Sequence, residues 1–363
     1  MDSPTYHFSL LSLLLLMFFS VSGQTQTGGQ IKHEKQHHKH TFRPTSLFVF
    51  GDSYADTGNS MKGVSNAWKP PYGITFPGKP AGRFSDGAVL TDFVARYLGL
   101  RSPVPYRMRR TVMPEIMKRG VNFAYGGAGV FDTDIGIPNV TTQIDYLEEL
   151  IKHKVYTSAD LTNSVALVSV AGNDYTHYVA INGSFQALPS FIASVVNQTS
   201  LDLMRLHGLG VTRIVVNALE PLGCLPVITD LFLLNHCDDT FNNFSALHNS
   251  LLNRHLLRLN RITHKHNHPP TFFVLDLYTS FISVLTHPTT YNIRQLFKPC
   301  CVGVNASYSC ASVDDNNVKR YKVCDNPKTA FFWDSVHPSG AGWHAVYTKL
   351  RTMTSFQRLR ASH

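Results

Sequence analysis

Four short apolar runs, rich in β-branched and aromatic residues, constrain the fold of this chain more than any other feature. They are residues 45–50 (TSLFVF), 165–171 (VALVSVA), 212–216 (TRIVV) and 272–275 (FFVL). None keeps a strict alternation of polar and apolar residues, so each reads as a strand buried on both faces. Helical patterns lie between them at 89–98, 141–154, 188–207 and 241–264, where Phe241, Phe244, Leu247 and Leu251 share one face. Strands alternating with helices give a parallel sheet covered on both sides, an α/β architecture. Ligands of such folds bind beyond the carboxyl ends of the strands, so chemistry is sought there. No repeat or low-complexity tract interrupts the pattern, and residues 45–360 read as a single domain.

Residues 8–21 form an almost unbroken apolar run followed by the small residues Ser22 and Gly23. Residues 1–23 therefore read as a signal peptide, although no Lys or Arg precedes the run, and the run is too short to span a bilayer. Residues 24–44 read as a flexible linker rich in His, Lys and Gln. The expectation is a secreted, extracellular protein without a transmembrane span, with the cell wall as one destination. Six cysteines, Cys224, Cys237, Cys300, Cys301, Cys310 and Cys324, then imply up to three disulfides. Sequence does not fix their pairing, but Cys224 with Cys237 reads as the cheapest short loop to close. No Cys-x-x-Cys pair is present, which argues against a metal site. Asn139, Asn182, Asn197, Asn243 and Asn305 head Asn-x-Ser/Thr sequons and are candidate N-glycosylation sites.

The formal net charge is +9, concentrated in residues 30–40 and in 101–119 with Arg107, Arg109, Arg110, Lys118 and Arg119. A positive surface outside a cell favours weak association with acidic polysaccharide or anionic lipid, while a solvated linker and loop account for it equally well. No nucleic-acid motif accompanies the charge, so nucleic acid is not an expected partner.

The first strand ends in Gly51-Asp52-Ser53. A serine there is more often a turn former or cap, and becomes a nucleophile only with a base, a group to orient that base and donors for an oxyanion. Asp-x-x-His, which sets a carboxylate beside an imidazole across a tight turn, occurs twice: Asp334 with His337, and Asp174 with His177. The residues alone leave both pairs open, with the first favoured because Pro338 and Gly340 fix a loop beside it. Candidate oxyanion donors are the Ser53 N–H, an N–H of the Gly126-Gly127-Ala128-Gly129 turn and the Asn173 side chain.

Residues 48–59 (FVFGDSYADTGN), 120–129 (GVNFAYGGAG), 172–174 (GND) and 334–338 (DSVHP) together resemble the four ordered blocks of the plant GDSL esterase/lipase family, within the SGNH hydrolases. Residues 70–76, 82–87 and 221–226 resemble further family segments. The resemblance implies a flavodoxin-like three-layer α/β/α sandwich with a mainly parallel sheet. It implies Ser53 as nucleophile, His337 as base, Asp334 as its orienting acid, and an oxyanion hole from Ser53, Asn173 and either Gly126 or Gly127. No metal or cofactor is implied. Tyr54 replaces the usual leucine, and Tyr125 stands where a small residue is common, which bears on substrate fit. The expected activity is carboxylic ester hydrolysis through an acyl-serine, on lipid, acyl or acetyl esters, including acylated glycans. An acyltransferase using the same triad and an inactive extracellular binding protein are the alternatives.

Overall fold

The computed structural model describes residues 42–134, 136–263 and 270–361. The signal-peptide reading and nearly all of the linker reading lie outside the described residues. Six parallel strands form the central sheet: β1 (Ser46–Gly51), β2 (Val104–Pro105), β3 (Val121–Asn122), β4 (Ser164–Ser169), β5 (Ile214–Asn217) and β6 (Phe272–Leu275), in the order β2-β3-β1-β4-β5-β6. The longest pairing runs in register from Ser46 opposite Ser164 to Gly51 opposite Ser169.

Alternation along the strands builds the two outer layers. Leu47 and Val49 of β1, Val165 and Leu167 of β4, and Phe273 and Leu275 of β6 face one side. There they meet α1 (Leu90–Leu98), α6 (Leu277–Thr286) and α7 (Gly340–Leu350) through Phe93, Phe281 and Trp343. Phe48, Phe50, Ala166, Val168 and Phe272 face the other. They pack on α2 (Val140–Lys152), α4 (Leu188–Gly208) and α5 (Asp239–Thr263). Each fully buried Phe or Leu contributes about 1.5–3 kcal/mol, so both faces are held by the same means. The result is the expected α/β/α sandwich.

The strand at 272–275 falls where the sequence places it, and the other three shift by one to two residues. The long helices at 89–98, 141–154, 188–207 and 241–264 likewise differ only at their ends. The sequence reading did not include β2, β3, α3 (Asn173–Ala180), α6, α7, or the antiparallel hairpin β7 (Cys301–Gly303) with β8 (Tyr321–Val323). Residues 101–119, read as a loop, contain β2 and a short helix Pro114–Met117. The disulfides are Cys224–Cys237, Cys300–Cys324 and Cys301–Cys310. The cheapest loop to close is therefore Cys301–Cys310, with a separation of 9 residues against 13 for Cys224–Cys237.

In this strand order the connection after β1 runs to one side, to the edge strand β2, and the connection after β4 runs to the other, to β5. The ends of β1, β3 and β4 thus open a crevice at the switch point of the sheet.

Candidate active site

Strand β1 ends in a turn that only glycine permits. Gly51 has φ of +127°, and a Cβ there would lie 1.8 Å from the Ser169 carbonyl oxygen. Gln143 of α2, fully buried, clamps this glycine from the other side: its Oε1 accepts the Gly51 N–H at 2.7 Å and its Nε2 donates to the Gly51 carbonyl at 2.9 Å. Ser53 follows, 8% exposed.

The second half of the arrangement comes from the far end of the chain. Residues 331–333 lead into a tight turn closed by Trp333 N–H donating to the His337 carbonyl at 2.7 Å. Inside it, Asp334 Oδ1 accepts the backbone N–H groups of Val336 and His337 at 3.0 and 2.9 Å. His337 Nδ1 lies 2.8 Å from both Asp334 oxygens, and its Nε2 lies 2.8 Å from Ser53 Oγ. An imidazole protonated at Nδ1 satisfies both contacts, giving its proton to the carboxylate and accepting from the serine hydroxyl. Tyr72 adds a bond unforeseen from sequence, its hydroxyl donating to Asp334 Oδ2 at 2.6 Å. Burial pushes the Asp334 carboxyl up, but the facing His337 and hydrogen bonds from His337, Tyr72 and Val336 outweigh it and hold the group below the usual carboxylate range.

The other Asp-x-x-His pair is placed differently. Asp174 turns its carboxylate to the backbone N–H groups of Val130 and Phe131, both at 3.0 Å. A Cβ at Gly129 would lie 2.4 Å from Asp174 Oδ1, so this glycine lets the acid pin the 126–131 turn. Ser53 meets only His337 among the described histidines.

Three further groups border the serine. Asn173, the first residue of α3, donates from Nδ2 to the Ala128 carbonyl at 3.0 Å and to Asp52 Oδ2 at 3.3 Å. Asp52 also accepts the N–H groups of Tyr54 and Ala171, and burial raises its carboxyl to about 7 in spite of those bonds. The Gly126 N–H already donates to Asp56 Oδ2 at 3.1 Å and Ser60 Oγ at 3.0 Å, whereas no partner for the Ser53 or Gly127 N–H exists among the described residues. Asp56 is a hub that sequence alone does not expose: it also accepts from Gly58, Asn59 and the Ser60 hydroxyl, tying the serine turn to the glycine turn.

The cavity beside His337 has a volume of about 680 Å³. Phe84, Tyr125, Ile137 and Val302 give it an apolar side, and Asn66 and Ser309 a polar one.

Residues 47–350 match the family model described as GDSL-like Lipase/Acylhydrolase. The chain belongs to the GDSL-like lipase/acylhydrolase family. Two GDSL esterase/lipase proteins of Arabidopsis thaliana are each 47% identical to it, one over 97% of this chain and 99% of the relative, the other over 94% and 96%. Among solved structures, an α/β-hydrolase enzyme from the Lake Arreo metagenome is 14% identical with a TM-score of 0.36, covering 87% of this chain and 97% of that one. An acetylxylan esterase from Geobacillus stearothermophilus is 12% identical with a TM-score of 0.35, again over 87% and 97%. Likeness at those scores adds nothing to the family assignment.

As a GDSL-family protein, the chain is a carboxylic ester hydrolase. Its two departures from the usual GDSL pattern have different surroundings. Tyr54 is buried, packs edge-on to Trp343 with ring centroids 5.1 Å apart, and donates its hydroxyl to the Val336 carbonyl at 2.9 Å. It thereby braces the loop that carries His337. Tyr125 is half-buried and lines the cavity, where it meets whatever ligand enters.

Proposed function

We propose that this protein is a secreted serine hydrolase that cleaves carboxylic esters through an acyl-serine intermediate. The observation that carries the reading is the continuous line from the Asp334 carboxylate through His337 to Ser53 Oγ, with 2.8 Å at each step. His337 Nε2 takes the Ser53 proton as Oγ attacks the ester carbonyl. The oxyanion is received by the N–H groups of Ser53 and Gly127, which have no partner among the described residues, and by Asn173 Nδ2, which gives up its long 3.3 Å bond to Asp52 for it. Gly127 rather than Gly126 fills this role because the Gly126 proton is already committed to Asp56 and Ser60. As the intermediate collapses, His337 returns the proton to the leaving alcohol. Water then adds to the acyl group with His337 as base, and as that intermediate collapses His337 returns the proton to Ser53 Oγ and the carboxylic acid departs. Every proton is accounted for within the triad, so the cycle calls for no cofactor.

Three disulfides support passage through an oxidising compartment, in keeping with the apolar run at 8–21. Asn182 and Asn305, exposed on turns, suit glycosylation best. Asn197 and Asn243 are exposed on helices, and the half-buried Asn139 uses its Nδ2 on Asp132 Oδ1 at 2.7 Å.

The test is hydrolysis of p-nitrophenyl esters from acetyl to palmitoyl by the purified protein and its His337→Gln variant. Turnover that depends on His337, with a preferred chain length, supports the reading. Equal turnover by the variant overturns it.

A further inference from the structure

A second cavity, of about 410 Å³, lies behind the wall of the first: residues 57, 58 and 62 line it, while residues 60, 61, 64 and 65 line the cavity beside His337. Three cations reach it, Lys62, Arg83 and Arg107. Arg83 is neutralised by Asp92 in a two-point pair with both contacts at 2.9 Å. The other two are not. Lys62 Nζ lies 4.8 Å and Arg107 Cζ 5.0 Å from the ring centroid of Trp68, and among the described residues neither has an acidic partner. The Arg107 guanidinium makes only long contacts, to the Gly58 and Ser60 carbonyls at 3.5 and 3.4 Å.

An indole attracts a cation without cancelling its charge. One ring therefore gathers two like charges that repel each other until an anion joins them. Beside the charges the lining is apolar, from Pro103, Val104, Pro105 and Met108. A compact phosphate would leave that surface unused. A rigid ring with a C–H face and a carboxylate uses both.

We propose that this cleft binds the carboxylate of an acidic sugar residue, with Lys62 and Arg107 as the anion-binding pair. Taken with the proposed ester hydrolysis, on which this extension rests, the 57–65 segment, which contributes lining to both cavities, makes acyl esters of acidic carbohydrate the substrate class.

The test uses full-chain Ser53→Ala protein, so binding is read without turnover and stands apart from the fate of the hydrolysis reading. Of the three tryptophans, Trp333 and Trp343 are 0% and 1% exposed, so fluorescence quenching by acrylamide reports Trp68. Tetragalacturonate should protect Trp68 saturably, less so at high salt, and about tenfold more weakly in a Lys62→Gln/Arg107→Gln variant. Xylotetraose and phosphatidylserine vesicles should give no protection. The proposal is overturned by an absence of protection, by equal protection from xylotetraose or the vesicles, or by an unchanged affinity in the double variant, which would place binding elsewhere on this basic chain.

Discussion

Replacing Asn173 by alanine separates what this side chain does for the fold from what it does for the reaction. In the resting protein its Nδ2 makes one good bond, 3.0 Å to the Ala128 carbonyl, and one long bond, 3.3 Å to Asp52 Oδ2. Such bonds contribute about 1 kcal/mol net, and the site is only half-buried, so the variant should stay folded with a slightly lower urea midpoint. In the transition state the same amide faces a full negative charge in a water-poor site. Losing one such donor costs about 2.7–4 kcal/mol, a fall in kcat of about 10²–10³. KM should change little, because the ground-state carbonyl does not draw on the donor. Steady-state kinetics on a short-chain p-nitrophenyl ester, beside urea melts of both proteins, measure the two effects independently. A kcat within about threefold of wild type, from a folded variant, would refute the assignment of Asn173 to the oxyanion.

Three other expectations follow from the geometry. Tyr72→Phe keeps the ring against Trp333 but removes the proton given to Asp334, so it should cost about 1.5–3 kcal/mol in urea unfolding; an unchanged midpoint would mean that Asp334 is held by its remaining bonds alone. Replacing both Cys301 and Cys310 by serine should lower stability by about 2–3 kcal/mol and raise KM more than it lowers kcat, because both residues line the cavity; an unchanged KM would remove this ring from substrate binding. Glu220 is fully buried, and burial pushes it up to about 8, with Asp52 adding to the rise. Since the unfolded chain ionises this group first, stability should fall as pH rises from about 5 to 8, and Glu220→Gln should flatten that slope in thermal melts; a slope unaltered by the substitution would assign the pH dependence to other groups.

The strands that carry the sheet were legible because both of their faces are buried, which writes them as apolar runs; residues 272–275 show this most directly. Strands β2 and β3 are two residues each and leave no period to read. Helix α6 is hidden for a related reason, since LYTSFISVLT has no charged residue to mark a solvent face. Helix α7 opens on Gly-Ala-Gly, which argues against a helix locally, yet Ser339 caps it through the Gly342 N–H at 2.9 Å. The serine turn and the Asp334–His337 turn were visible because both are local. What holds them is not local: Tyr72 and Asp334 are 262 residues apart, and Gln143 and Gly51 are 92 apart. Residue type alone gives no sign that a particular glutamine or tyrosine will serve these turns. The proposed preference for Gly127 over Gly126 rests on the Asp56 and Ser60 bonds to Gly126, made across 70 and 66 residues of chain.

Ser53 is the proposed nucleophile, activated by His337 and Asp334. The most direct measurement is labelling of the purified protein with a fluorophosphonate, followed by peptide mass mapping, with Ser53→Ala alongside. One phosphonylated serine per chain is expected, at Ser53, with loss of ester hydrolysis in step with labelling and no label on the variant. Label on another serine, or hydrolysis that survives in Ser53→Ala, would contradict it.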